Sequence, residues 1–421
     1  MRSYNYLNPK EMKLTLIIFL AFGASLFSIA QNTDYNKFVL VDNATSTSTD
    51  TSFHENSNFR QLDQTEVNLL FSYYEQEGDH SVVTGGVGSQ ELHDLEFGII
   101  VNIPIDSLRT LNLNGGLTSY TSASNDRINF KVSSASEHEY RGRLDATYTW
   151  QQPQKRTYFG LTAGFSGEVD YISSSLGAKW GITSKDGNQS LDILSKFYFD
   201  IWVWVIYPQE LRYKQWVDTK IRETYNLSLT YSQVINTRLQ ASFFVDGIYQ
   251  SGLLSTPFHR VYFAEHDASR VEKLHNNRFK LPIGLRLNYH LNDLFVLRTY
   301  YRYYRDNFDI EGHTASIEVP IQVNPFLSIS PFYRYHTQTG SKYFAPFKTH
   351  ELDAAYYTSD YDLAKFNSSQ YGLGLRYTDI FTKFKIFNFG LKSFDVKYSM
   401  YDRSDGLKAS IISTGFKFVL D

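Results

Sequence analysis

The residues able to do chemistry in this chain are its histidines, its carboxylates and a set of charges spaced two apart. There are eleven His, 44 Asp and Glu together, and no Cys. Any metal centre must therefore use imidazole and oxygen donors, and cysteine nucleophiles and thiolate sites are excluded. His80, His93, His259, His266, His275 and His350 fall in or near segments read below as loops. Asp79-His80 and Glu91-Leu92-His93-Asp94 are the densest groupings. Oxygen ligands suit calcium, and imidazole suits zinc or copper. Neither grouping has ligand spacing, so both read as solvated loop polarity, and no metal or cofactor is expected. Ser, His and Asp are plentiful, but no Gly-x-Ser-x-Gly elbow accompanies them. No catalytic residue is assigned, and an enzyme is not the expected class. Gly85-Gly86-Val87-Gly88 follows no strand-to-helix crossover and reads as a loop, not a phosphate cradle.

The spaced charges are more informative. Arg141, Arg143 and Asp145, then Arg286, then Arg298 and Arg302, and Arg376 alternate with mostly apolar residues. They are the candidate site residues, as charges lining the interior of a barrel. Glu139, Asp192, Lys196, Asp200, Asp246, Lys280, Glu318 and Lys417 belong to the same set, which holds nine basic and six acidic groups. A row such as Arg298/Arg302 would bias a pore towards anions. The mixed signs favour an interlocked salt-bridge network filling the interior. Tyr198, Trp202, Trp204, Tyr207 and Trp216 cluster at one hairpin end and read as an interfacial aromatic girdle.

Strands must position these charges, because their spacing is two. Phe159, Leu161, Ala163 and Phe165 alternate with Gly160, Thr162, Gly164 and Ser166. Phe279 to Leu291 and Tyr371 to Tyr377 alternate likewise. The pattern predicts about sixteen strands, at 66–75, 92–104, 109–121, 138–150, 156–166, 169–182, 189–203, 222–233, 237–250, 279–291, 294–305, 311–322, 326–337, 369–379, 388–401 and 408–419. An even count puts both termini on one side. The short connections, such as Pro104-Ile-Asp-Ser107 and Leu291-Asn-Asp293, alternate with another set that contains every long one: 76–91, 122–137, 204–221, 251–278 and 338–368. Tight turns at one end and long loops at the other are the signature of an all-β transmembrane antiparallel β-barrel. Pro282 and Pro320 strain this reading, because proline removes a ladder donor. Near Ser393 the apolar set changes parity, which predicts a bulge.

The N-terminus places that barrel. Lys13 precedes an apolar run, Leu14 to Phe27, ending in Ser28-Ile29-Ala30. That reads as a signal peptide over 1–30, cleaved before Gln31. Its removal takes Arg2, Lys10, Lys13 and Glu11, leaving 38 basic against 43 acidic residues. No global basic field remains, so no nucleic-acid partner is expected. Residues 31–63 are polar and aperiodic and read as a flexible periplasmic lead-in, and 64–421 as the barrel. The expected location is the outer membrane of a gram-negative bacterium, with its lipid as the first partner.

Glu66 to Gly86, Ser119 to Asp126, Ser255 to Phe263 and Tyr300 to Asp306 carry a resemblance that extends over nearly all of the chain after Ala30. The chain resembles the exported bacterial family called domain of unknown function 3570. That family has no established activity, so no functional residue is carried over. Its genomic company, a small lipoprotein and a flavin-attaching transferase, implies envelope redox chemistry as a setting. The first expectation for function is a porin-like or ligand-gated channel for a small solute. The lead-in is too short for the plug of an energy-coupled transporter. The alternatives are a non-transporting partner barrel for a lipoprotein or periplasmic redox protein, and an enzyme sited on the barrel rim.

Overall fold

The computed structural model describes residues 64–121, 138–205, 207–211 and 218–420. The expected signal peptide, the lead-in, the loop at 122–137 and Trp216 lie outside them. Twenty strands follow in order: β1 Glu66–Glu77, β2 Leu92–Pro104, β3 Arg109–Thr121, β4 His138–Gln152, β5 Thr157–Gly167, β6 Tyr171–Thr183 and β7 Gln189–Val205. Next come β8 Asp218–Asn236, β9 Leu239–Gly252, β10 Arg260–Tyr262, β11 Ser269–Val271, β12 Asn277–His290 and β13 Val296–Asp306. The chain finishes with β14 Glu311–Glu318, β15 Ile321–Asn324, β16 Leu327–Gln338, β17 Phe366–Thr378, β18 Lys385–Ile386, β19 Phe389–Arg403 and β20 Lys408–Leu420. All but β10 and β11 form one antiparallel sheet. β15 continues the barrel position of β14, and β18 is a two-residue arm beside β19, so the barrel has sixteen positions. β1 pairs with both β2 and β20, running Glu66↔Val419 to Glu77↔Lys408, and this closes the sheet. Closure satisfies every edge, which a barrel in lipid requires because hydrocarbon offers no hydrogen bonds.

The two faces differ as the alternation requires. Leu95, Leu161, Leu176, Leu285, Tyr301 and Leu373 are exposed on the outer face. The register keeps such residues level from strand to strand: Leu285 opposes Tyr301, and Tyr73 sits between Leu95 and Ile412. A continuous apolar band facing outwards is what a lipid-embedded barrel needs.

Four of the tight turns have a shared local cause. Asn236, Asn292 and Asn324 each accept two backbone N–H bonds at 2.9–3.0 Å from residues two and three further on. Asp106 does the same for Leu108 and Arg109 at 2.8 Å. An Asx side chain that mimics the backbone closes a turn without extra residues. These bonds and the Arg109 guanidinium also hold the Asp106 carboxyl below the usual carboxylate range, led by the Leu108 N–H.

The breakers resolve differently. The bulge is present: Leu391 opposes Phe418 but Ser393 opposes Lys417, so Lys392 is the extra residue. Pro282 stays inside β12. Pairing to β9 stops at Lys280↔Ile248 and resumes at Ile283↔Val245 without losing register. Pro320 instead breaks the strand predicted at 311–322 into β14 and β15. β7 and β8 outrun their predicted ends, reaching Val205 and starting at Asp218.

Long loops at 78–91, 253–276 and 339–365 share the end opposite the termini. Tags inserted in 253–276 or 339–365 are expected to be labelled on intact cells, and a tag beside Ser107 is not. Surface labelling at Ser107 would invert the topology.

Candidate functional site in the lumen and its outer cap

The predicted interior charges sit on the face opposite the apolar band, where most meet a partner on another strand, adjacent for Arg298 and Arg376 and across intervening strands for Arg143 and Lys196. Arg143 Nη2 donates to Glu96 Oε1 at 2.8 Å, and Lys196 Nζ to Asp145 Oδ1 at 2.8 Å. Arg298 Nη1 donates to Glu318 at 2.9 Å, and Arg376 Nε to Asp395. Arg141 lies 3.5 Å from Glu168, and Arg286 stands over the rings of Phe244 and Tyr300. Arg302 shares the face of Arg298, its Nε buried without a hydrogen-bond acceptor. Glu96 and Asp395 alternate with apolar residues and were legible as interior charges but were left out of the predicted set, while Glu168 lies just beyond the end of β5.

These pairs differ in exposure. Towards the inner end the Arg298 side chain is 48% exposed and Arg376 34%. At the outer rim Arg278 is 9% exposed against an Asp306 with 0%, and Arg222 and Asp200 are similarly buried. Asp306 also accepts the N–H groups of Phe308 and Ile310, so one carboxylate ties the pair to the rim turn. Breaking such a buried pair by removing one member costs about 3–5 kcal/mol, whereas a half-exposed pair contributes far less.

The aromatic reading needs correction. Tyr198 and Trp202 share parity with Lys196 and Asp200, so they are on the inner face. Lys196 Nζ lies 4.8 Å from the Tyr198 ring, and Trp202 meets Tyr171 edge-on at 4.9 Å. An interior cation and an aromatic neighbour hold them there in place of lipid.

The outer loops build a cap with a small core of its own. β10 and β11 form a hairpin inside 253–276. Its Val261 and Phe263 are fully buried with Tyr357 from 339–365, and Ala354 packs beside them. Two loop backbones interlock: Lys273 and Tyr357 exchange both N–H bonds at 3.1 and 2.7 Å, and Ala264 N–H reaches His350 O at 2.9 Å. Arg260 then joins three loops. Its Nη1 donates to Val83 O at 2.7 Å and its Nε to Glu210 Oε1 at 2.5 Å. Val83 follows β1, Glu210 follows β7 and Arg260 follows β9. The β1–β2 and β9–β12 connections are half the barrel's circumference apart, so this contact has to cross the mouth. His80 stacks on Tyr361 at 3.8 Å to complete the crossing.

Inside the cap three loop side chains converge. One ring nitrogen of His259 and one oxygen each of Glu272 and Asp360 lie within 4.8 Å of one another. Burial works against the His259 proton, but the Glu272 carboxylate beside it outweighs this, and the pKa stands above the ordinary value. Burial, then Asp362, push Asp360 up to about 7. The loop groupings singled out from sequence behave otherwise: His93 meets Tyr73 at 3.1 Å, and His80 is in the stack above. His259, Glu272 and Asp360 are separated by 13 and 88 positions, so no spacing rule finds them.

A closed sixteen-stranded transmembrane barrel with paired interior charges and a folded outer cap defines the class. Residues 106–410 match the family described as protein of unknown function (DUF3570), and the chain belongs to it. No curated protein matches the chain. Among solved structures it is similar to a bacterial polysaccharide outer membrane secretin at 8% identity and TM-score 0.45, covering 85% of this chain and 99% of that one. A BenF-like porin from Pseudomonas fluorescens Pf-5 follows at 8% and 0.39, covering 86% and 100%. The siderophore receptor PirA from Acinetobacter baumannii gives 11% and 0.42, covering 80% and 53%. These likenesses concern the barrel fold alone.

Proposed function

We propose that the chain is an outer-membrane channel for a small solute, closed at its outer mouth by the cap and wet at its inner half. One observation carries this reading: the Arg298 side chain is half-exposed towards the inner end, whereas Arg278 with Asp306 and Arg222 with Asp200 are buried at the outer rim beneath the loops. A half-exposed guanidinium inside a barrel needs water around it, because desolvating a charge is expensive. Sixteen strands enclose enough space for an aqueous channel. The interior is a ladder of paired charges, with Arg302 adding positive character near Arg298. The solute favoured by those guanidinium groups is an anion.

Ion selectivity in planar bilayers tests this. The wild-type protein, once open, is expected to prefer anions, and replacing Arg298 and Arg302 with Gln together is expected to shift the reversal potential towards cation preference. Folded protein with unchanged selectivity would sink the proposed role of these arginines. Folded protein that never conducts would favour the partner-barrel reading, in which the cap is a docking surface for an envelope lipoprotein.

A further inference from the structure

We propose that His259, Glu272 and Asp360 form a binding site for one divalent first-row transition cation, zinc being the natural probe, that pins loop 253–276 to loop 339–365. The donor set is one imidazole and two carboxylates, the chemistry that suits such ions. His259 and Glu272 have side chains only 1% and 2% exposed, with Nδ1 and Oε1 at 3.4 Å. Metal–ligand bonds of about 2.0–2.2 Å put tetrahedral neighbours roughly 3.3 Å apart, so that pair already has ligand separation. Asp360 need close the remaining gap by no more than roughly 1.5 Å.

One further observation points to a ligand. His259 turns Nδ1 towards Glu272, while Nε2, on the far side of the ring, is buried without a hydrogen-bond partner. Two carboxylates here face one imidazole, that of His259. Glu272 accepts Thr358 Oγ1–H at 2.5 Å and Thr256 N–H at 2.6 Å, while Asp360 accepts Asp362 N–H at 2.9 Å. Among the described residues no lysine or arginine pairs with either carboxylate. Arg403 is committed to Asp362 and Asp405, Arg270 lies over Phe263, and Lys273 lies over Tyr356. A bound dication balances both carboxylates with the His259 ring neutral. A cavity of about 280 Å³ borders Glu272 between Tyr207 and Tyr357. The hydrogen bonds from Thr358 and Thr256 hold Glu272 in place, as outer partners do around metal ligands.

The inference concerns the cap and does not depend on conduction. Chelator-stripped, refolded full-length protein is titrated with Zn²⁺ by calorimetry, and the cap is followed by limited proteolysis at 253–276. One Zn²⁺ per chain and slower cleavage with metal are expected. His259→Gln, Glu272→Gln and Asp360→Asn should each weaken binding by more than about tenfold, the lower end of what altering even an outer partner does. The exposed control Asp267→Asn should bind as wild type. Asp360→Asn keeps the acceptor for Asp362 N–H, so its metal-free cap should resist protease like wild type. Co²⁺ in the wild-type site should give the visible absorption of a low-symmetry nitrogen–oxygen centre, absent in His259→Gln. No saturable binding by wild type, or binding unchanged in the three variants, overturns the proposal. So does loss of binding confined to variants whose metal-free cap has become protease-sensitive.

Discussion

Excising residues 254–275 and closing β9 to β12 with a short Gly-Ser turn is expected to turn a nearly silent barrel into an open one. The strands pair up to Ser251↔Asn277, and Gly252 N–H already meets Asn276 O at 2.9 Å, so a short turn fits there. Gly252 itself must stay: its φ is +111°, and a Cβ would fall 2.1 Å from Ile221 O. The excision removes Val261 and Phe263 from the cap core and Arg260 from its contacts with Val83 and Glu210. Single-channel conductance should rise at least roughly fivefold, since the lumen of a sixteen-stranded barrel is wide enough for water and ions. Arg260→Ala should give brief openings on an otherwise closed background. A folded, excised barrel that stays silent would end the channel reading and leave a scaffold. The metal site would be lost in this variant for trivial reasons, so it is tested only in the full chain.

Leu285→Arg is expected to fold poorly into liposomes, whereas Asn114→Arg folds nearly as well as wild type. Leu285 is 40% exposed on the outer face, opposite Tyr301 and Phe243. A cation near the midplane of the lipid face costs about 2–4 kcal/mol, a factor of roughly 30 to 1,000 in the folding equilibrium. Asn114 is on the other face, between Ile100 and Asp145, where an arginine gains a carboxylate neighbour. Folded yield is read from heat-modifiable gel migration. Equal yields would mean that Leu285 does not face lipid, and the reverse order that the inner and outer faces are exchanged.

The barrel was legible in the sequence. Period-two alternation is a local property of the chain, and lipid outside with charge inside enforces it strand after strand. The Asx turns at Asn236, Asn292 and Asn324 are equally local, since each needs only three residues. The parity change at Ser393 was enough to locate a bulge. Tyr198 and Trp202 show the limit of that logic. Their types favour an interface, but their parity with Lys196 and Asp200 puts them inside. Only the tertiary structure decided which charges pair, because an ion pair depends on the register between strands, and Arg143 meets Glu96 across 47 positions. It alone decided the cap. Loop residues carry no period, and His259, Glu272 and Asp360 meet only because two loops after different hairpins fold over one mouth and bury Phe263 and Tyr357 between them.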